Sequence, residues 1–80
     1  MSADAYKDYI LATNELLLEF AREAKQKADS SRGKMGGDFD SGYLMGFHRV
    51  VSLMQQQAEA FGLETSDIGL GAIDANRDLT

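Results

Sequence analysis

Eighty residues without a cysteine, carrying thirteen acids against eight bases for a net charge of −5, are enough for one small domain. Disulfides are excluded, no Cys/His cluster is available for a structural zinc, and an acidic balance disfavours nucleic acid phosphates and anionic lipid as partners. The apolar runs are only a few residues long, far short of the roughly 20 that cross a bilayer, and MSADAYKDYI lacks the basic start and apolar stretch of a signal peptide. Freedom from cysteine fits a reducing cytosol. A core of this size supplies only about 3–5 kcal/mol unless something reinforces it, and self-association is the staple left open.

The first segment spans about 3–28. Tyr6, Tyr9, Ile10, Thr13, Leu16, Leu17, Phe20, Ala21, Ala24 and Ala28 recur at three- and four-residue intervals, the helical period, and the first seven of them predict the main apolar stripe. Ser2 or Asp4 can cap its start. Leu11 and Leu18 fall outside that stripe, at about 140° and 120° from Tyr6 at 100° per residue. They form a separate row that one partner helix cannot cover together with the stripe. This row points to a second subunit, the alternative being a monomer whose tail lies over both leucines.

Residues 29–38, DSSRGKMGGD, read as a loop. Its GKMGG has neither the order nor the preceding strand of a phosphate loop. Lys25, Lys27, Arg32 and Lys34 gather around it, a cluster that reads as a solvated turn rather than an anion site.

A second helix is predicted over about 39–61, capped by Asp38 or Asp40 and closed by Gly62 in the left-handed conformation. Phe39, Tyr43, Phe47, Val50, Val51, Met54, Ala58 and Phe61 share one face. Gly42 and Gly46, with Leu53, form a thin flank. Two glycines inside a helix cost roughly 1 kcal/mol each and point either to close approach of another backbone or to a frayed first turn. The only histidine, His48, lies on the polar side, about 140° from Tyr43. It has no second ligand at three- or four-residue spacing and no carboxylate to orient it, so it reads as a boundary residue and neither a metal ligand nor a general base. No catalytic, cofactor-binding or metal-binding residue is assigned, and no cofactor is implied.

Residues 62–80 read as an extended tail with one helical turn begun by Thr65 or Ser66, its Ile68, Leu70 and Ile73 packing back on the hairpin or on a second subunit. Asp74, Asn76 and Asp78 imitate the alternating oxygens that open a calcium loop, but Leu79 stands where the turn glycine belongs. They read as a solvated acidic turn.

The fold expected is all-α: an antiparallel two-helix hairpin with an extended C-terminal tail, assembling as a dimeric four-helix bundle. The function expected is that of a non-enzymatic interaction or regulatory adaptor module, a homodimer with room for an unidentified protein partner, with candidate interface residues Leu11, Leu18, Gly42, Gly46 and Leu53. The competing expectation is a small-molecule or enzymatic site between subunits, drawing on Tyr6, Tyr9, Tyr43 and His48. A concave pocket with convergent polar groups would favour the latter, a continuous packed seam the former.

Overall fold

The computed structural model describes residues 3–80. Two long helices, α1 (Ala3–Ser31) and α2 (Gly37–Ala60), pack antiparallel as a hairpin, and both overrun the sequence-based loop so that only five residues join them. The N-terminal cap splits accordingly: Asp4 lies in the first turn of α1, and Ser2 lies outside the described residues. The start of α2 is Gly36 in the left-handed conformation, without a side-chain cap, so Asp38 and Asp40 sit in the first turn. There they face the positive end of the helix dipole. Asp40 is also tied to the end of α1, accepting from the Ser31 hydroxyl at 2.7 Å. A Cβ on Gly37 would run into the Ser31 carbonyl oxygen, so the tight corner requires glycine there.

At the far end of α2, Gly62 adopts φ 73°, its N–H donates to Glu59 O, and Leu63 N–H donates to Ala58 O. This reciprocal pair satisfies carbonyls that the last turn leaves free and turns the chain back.

The C-terminal segment is not an extended tail. It holds a single 3₁₀ turn, Thr65–Ile68, and a short helix, α3 (Ala75–Asp78). Gly69, at φ 78°, ends the 3₁₀ turn and rests on Leu11 and Asn14. The segment then runs back along the hairpin toward the α1–α2 loop, burying Leu70, Ile73, Ala75 and Leu79 in the groove between the long helices. We call residues 64–80 the strap. Gly71 sits against Ser66, where an added Cβ would approach the backbone to 2.9 Å.

The core is a thin seam. On α1 it comprises Leu18, Ala21, Ala24 and Ala28, and on α2 Leu44, Val51 and Ala58. Leu44, Val51 and Ala58 recur every seven residues, as do Leu18 and Lys25, or Asn14, Ala21 and Ala28. That is the repeat of two helices packed side by side at a shallow angle. Alanines on α1 let the backbones approach closely, and the strap's Leu70 and Leu79 supply the bulk that the alanines lack.

This seam is not the stripe the large apolar residues predict. Tyr6, Tyr9, Ile10, Leu16 and Phe20 are exposed on α1, as are Phe39, Tyr43 and Val50 on α2 and Phe61 just past its end. Of the residues predicted to follow the helical period, Ala21, Ala24, Ala28, Val51 and Ala58 are buried and Leu17, Phe47 and Met54 half-buried, so on α1 the seam runs along the alanines and not along the large residues of the stripe.

Candidate interaction surface

Two sides of the hairpin carry different chemistry, and the handedness of the helices fixes which residues share a side. Taking the seam of each helix as its inward direction, the exposed apolar residues of both helices precede it by roughly 110° at 100° per residue. In an antiparallel pair these two flanks point to the same side. The strap-facing residues, Leu11, Asn14 and Lys25 on α1 and His48 and Gln55 on α2, lie on the opposite side. One side is strapped, the other open.

Five side chains fasten the strap, the longest bond running from Arg32 Nη2 to Thr80 O at 3.4 Å. Asn14, 1 % exposed, donates from Nδ2 to Ile68 O at 2.6 Å. Gln55 donates from Nε2 to Leu70 O at 3.1 Å and to Ile73 O at 2.9 Å. His48 Nε2 meets Asn76 Oδ1 at 2.9 Å. Lys25 Nζ donates to Thr80 O at 2.6 Å. Each hook satisfies a polar group of a segment that has no ladder of its own, which buried backbone requires. Asn14 Oδ1 is buried without a partner, so this amide serves the strap with one of its two ends.

The acidic motif in the strap does not converge on a cation. Asp74 Oδ1 caps α3 by accepting from Arg77 N–H at 3.1 Å, Asn76 turns to His48, and Asp78 accepts from Asp74 N–H at 2.9 Å. Arg77 pairs with Asp78 at 2.8 Å. The hydrogen bonds from Arg77 and then from the Asp74 N–H lower the Asp78 carboxyl from 3.8 to about 2, and the same contact raises Arg77. Among the described residues no group of three or more His, Cys, Asp or Glu is placed to hold a metal.

The basic cluster near the loop is partly spent within the chain. Asp29 receives both Lys25, at 3.0 Å, and Arg32, at 3.1 Å. Lys34 and Met35 project at the loop tip, Met35 fully exposed. His48 is half-buried at the strap edge, with no carboxylate in hydrogen-bond reach.

Surface depressions are shallow and open. One cleft of about 490 Å³ is lined by polar residues including Gln55, Asp74 and Asn76, but these three already bond to the strap, to α3 and to His48. Another, of about 360 Å³, lies between Tyr6, Lys7 and Ile10 of α1 and Leu63, Asp67 and Ile68 at the start of the strap.

The open side is the largest uncovered apolar feature. From one end of the hairpin to the other it presents Tyr6, Tyr9, Leu16 and Phe20 on α1, Phe39, Tyr43 and Val50 on α2 and Phe61 just past its end, with Tyr9 66 % and Phe61 77 % exposed. Its aromatics are ordered among themselves. Phe39 stacks on Tyr43 with centroids 6.4 Å apart, and Tyr43 meets Phe47 edge-on at 5.1 Å. Such geometries hold the rings in a fixed relief.

The five candidate interface residues divide between the two sides. Leu18 is buried in the core and Leu11 is half-buried beneath Gly69, so the chain's own strap covers the row that pointed to a second subunit. Gly46 and Leu53 are exposed at the outer rim of the open side, Gly42 is exposed further round on the back of α2, and a Cβ on either glycine would meet nothing within 4 Å. No backbone among the described residues approaches them. Sequence reasoning missed Asn14 and Gln55. For Asn14 the signal is positional, a lone polar residue at the seven-residue spacing of the buried Ala21 and Ala28; Gln55 carries none. No helix among the described residues is long and apolar enough to cross a membrane. No protein-family model, curated protein or solved structure matches this chain.

Proposed function

We propose that the protein is a non-enzymatic interaction module that acts as a homodimer, its two hairpins joined through their open sides into a four-helix assembly. The observation that supports this most is the extent of the uncovered face. Eight large apolar side chains are each at least two-fifths exposed and share one side of an 80-residue chain. With aromatic side chains of 150–250 Å² each, they present on the order of 1,000 Å². That exceeds the 300–600 Å² or so of the largest patch on an ordinary monomer, and matches the roughly 800 Å² that each partner contributes to a stable interface. A thin alanine-rich seam also leaves the isolated hairpin short of core, which a second hairpin supplies. Twofold closure hides the face completely in the smallest assembly.

Gly46 and Leu53 then form the rim of the joint, and the loop tip and outer strap surface remain for other protein partners. A site for small-molecule chemistry finds less support, because Gln55, Asp74 and Asn76 of the polar cleft already bond within the chain.

The test is Phe20→Glu, a change at a half-exposed position of the open side. Light scattering of the purified protein at micromolar concentration is expected to give twice the 8.8 kDa chain mass for the unaltered chain and the single mass for the variant, with unchanged helical circular dichroism. An unaltered chain that stays at 8.8 kDa, or a variant that stays dimeric, would refute the reading.

A further inference from the structure

We infer that the α1–α2 loop of one copy docks end to end on a second copy, seating Met35 in the apolar cavity between the first turns of α1 and the start of the strap. This contact goes beyond the joint proposed above and does not depend on it.

The loop displays one side chain. Lys34 N–H donates to Ser31 O at 2.9 Å and Gly37 N–H to Lys34 O at 3.0 Å, so residues 34–37 close a hydrogen-bonded turn. Gly36, third in that turn, has φ 86° and ψ −6°, the geometry of a type II turn. Met35, second in it, is large, apolar and fully exposed. Its side chain is unbranched and polarizable, which suits it to an irregular apolar cleft.

Such a cleft lies at the other end of the molecule. Tyr6, Ile10, Leu63 and Ile68, together with Lys7 and Asp67, wall a cavity of about 360 Å³. Pockets that hold small ligands begin at about 300 Å³, so it has room for one side chain. Of its walls only Tyr6 also belongs to the open side. The 29 residues of α1 separate loop and cavity by about 40 Å at 1.5 Å per residue, so a chain cannot fill its own cavity with its own loop.

Charge favours the fit. The five-residue loop carries Arg32 and Lys34 and no acid. Arg32 is engaged with Asp29 and Thr80 O, whereas Lys34 makes no ion pair among the described residues. Around the cavity, residues 3–10 and 63–68 carry Asp4, Asp8, Glu64 and Asp67 against Lys7 alone, and none of these is ion-paired among the described residues. At 100° per residue Asp4 and Asp8 fall about 100–140° from the α1 seam on the strapped side, where the strap forms the cavity's other wall. With a screening length of about 8 Å in physiological salt, a loop seated there brings Lys34 into attractive range of these carboxylates.

Loop and cavity are different surfaces, so the contact is heterologous and repeats from copy to copy instead of closing. One side chain and its rim bury far less than the roughly 1,200 Å² of a stable interface, so the association is weak and shows only at millimolar concentration.

Light scattering from micromolar to millimolar concentration tests the docking. The unaltered chain is expected to gain mass at millimolar concentration, about twofold or more over its micromolar value. Met35→Ser removes the side chain that docks, and Leu63→Glu puts a charge in the cavity wall; each is expected to lose the gain. Both positions are exposed, so helical circular dichroism should not change. An equimolar mixture of the two variants is expected to recover the gain at least in part, because one supplies intact cavities and the other intact loops. An unaltered chain without the gain, a variant that keeps it, or a mixture that fails to recover it would overturn the docking. The open-side joint is judged separately, from the mass at micromolar concentration.

Discussion

The strapped side and the open side of the hairpin use apolar residues in opposite ways. On the strapped side the seam residues of α1 are mostly alanines, fully buried, and the closing bulk comes from Leu70 and Leu79 of a different segment. On the open side the residues are large and aromatic, and nothing among the described residues covers them. Close helix contact selects small side chains because they let backbones approach. The largest hydrophobic residues of such a chain are then free for an interface. A helix can therefore show its strongest hydrophobic periodicity on the face that does not form its own core.

The first way to break this comparison is to attack each side in turn. Leu70→Ala removes a side chain with no exposed surface and is expected to cost about 2–5 kcal/mol of unfolding free energy, read from urea denaturation. Phe20→Ala, on the open side, is expected to change unfolding of the dissociated chain by less than about 0.5 kcal/mol and to act on association instead. Equal losses in the monomer would mean that the two sides are not distinct.

Next in size is the hook at Asn14. Removing the amide with Asn14→Ala leaves Ile68 O without its donor, at a cost of about 1–3 kcal/mol. Hydrogen exchange should rise selectively at the amides of Asp67, Gly69 and Leu70, whose bonds close the 3₁₀ turn. Unchanged exchange there would show that the strap is held by packing alone.

Smaller still is the effect at the two glycines of α2. Gly42→Ala and Gly46→Ala meet open space inside α2, so each should stabilise the dissociated chain by roughly 0.5–1 kcal/mol. If another copy's backbone rests on them, the same changes weaken the dimer. Measuring both quantities on one variant tells a surface glycine from an interface glycine.

The last effect is confined to the strap's α3. Asp78 has its pKa depressed from 3.8 to about 2, so its contribution to the folded state is complete above pH 4 or so and is lost as pH falls toward 2. Carboxyl chemical shifts followed by acid titration should show a midpoint near 2, with the amide of Asp74 moving alongside because it donates to Asp78. A midpoint near 4 would mean that the Arg77 contact does not persist.

Much of the architecture is legible in the sequence. The helical period, the breaker-rich loop and Gly62 locate both helices to within a few residues, and Thr65 does begin a helical turn. What is not legible is which face of each helix meets the other. Tyr6, Tyr9 and Phe20 outweigh Ala21, Ala24 and Ala28 in any count of hydrophobicity, yet only the alanines permit the contact. The strap escapes for a related reason. Its Ile68, Leu70 and Ile73 do pack back on the hairpin as their apolar character predicts, but its path and its short helix are not legible, because its fastening depends on Asn14 and Gln55, polar residues on distant helices that acquire meaning only when Ile68, Leu70 and Ile73 present their carbonyls. Leu11 and Leu18 are legible as residues in need of cover, and the strap provides it from within the chain.

The most direct test of the open side as a joint between copies is sedimentation equilibrium of the unaltered chain over a concentration series spanning the micromolar range. A homodimer gives a mass of twice 8.8 kDa that falls toward the single-chain value on dilution. One species at 8.8 kDa across the whole series would contradict it.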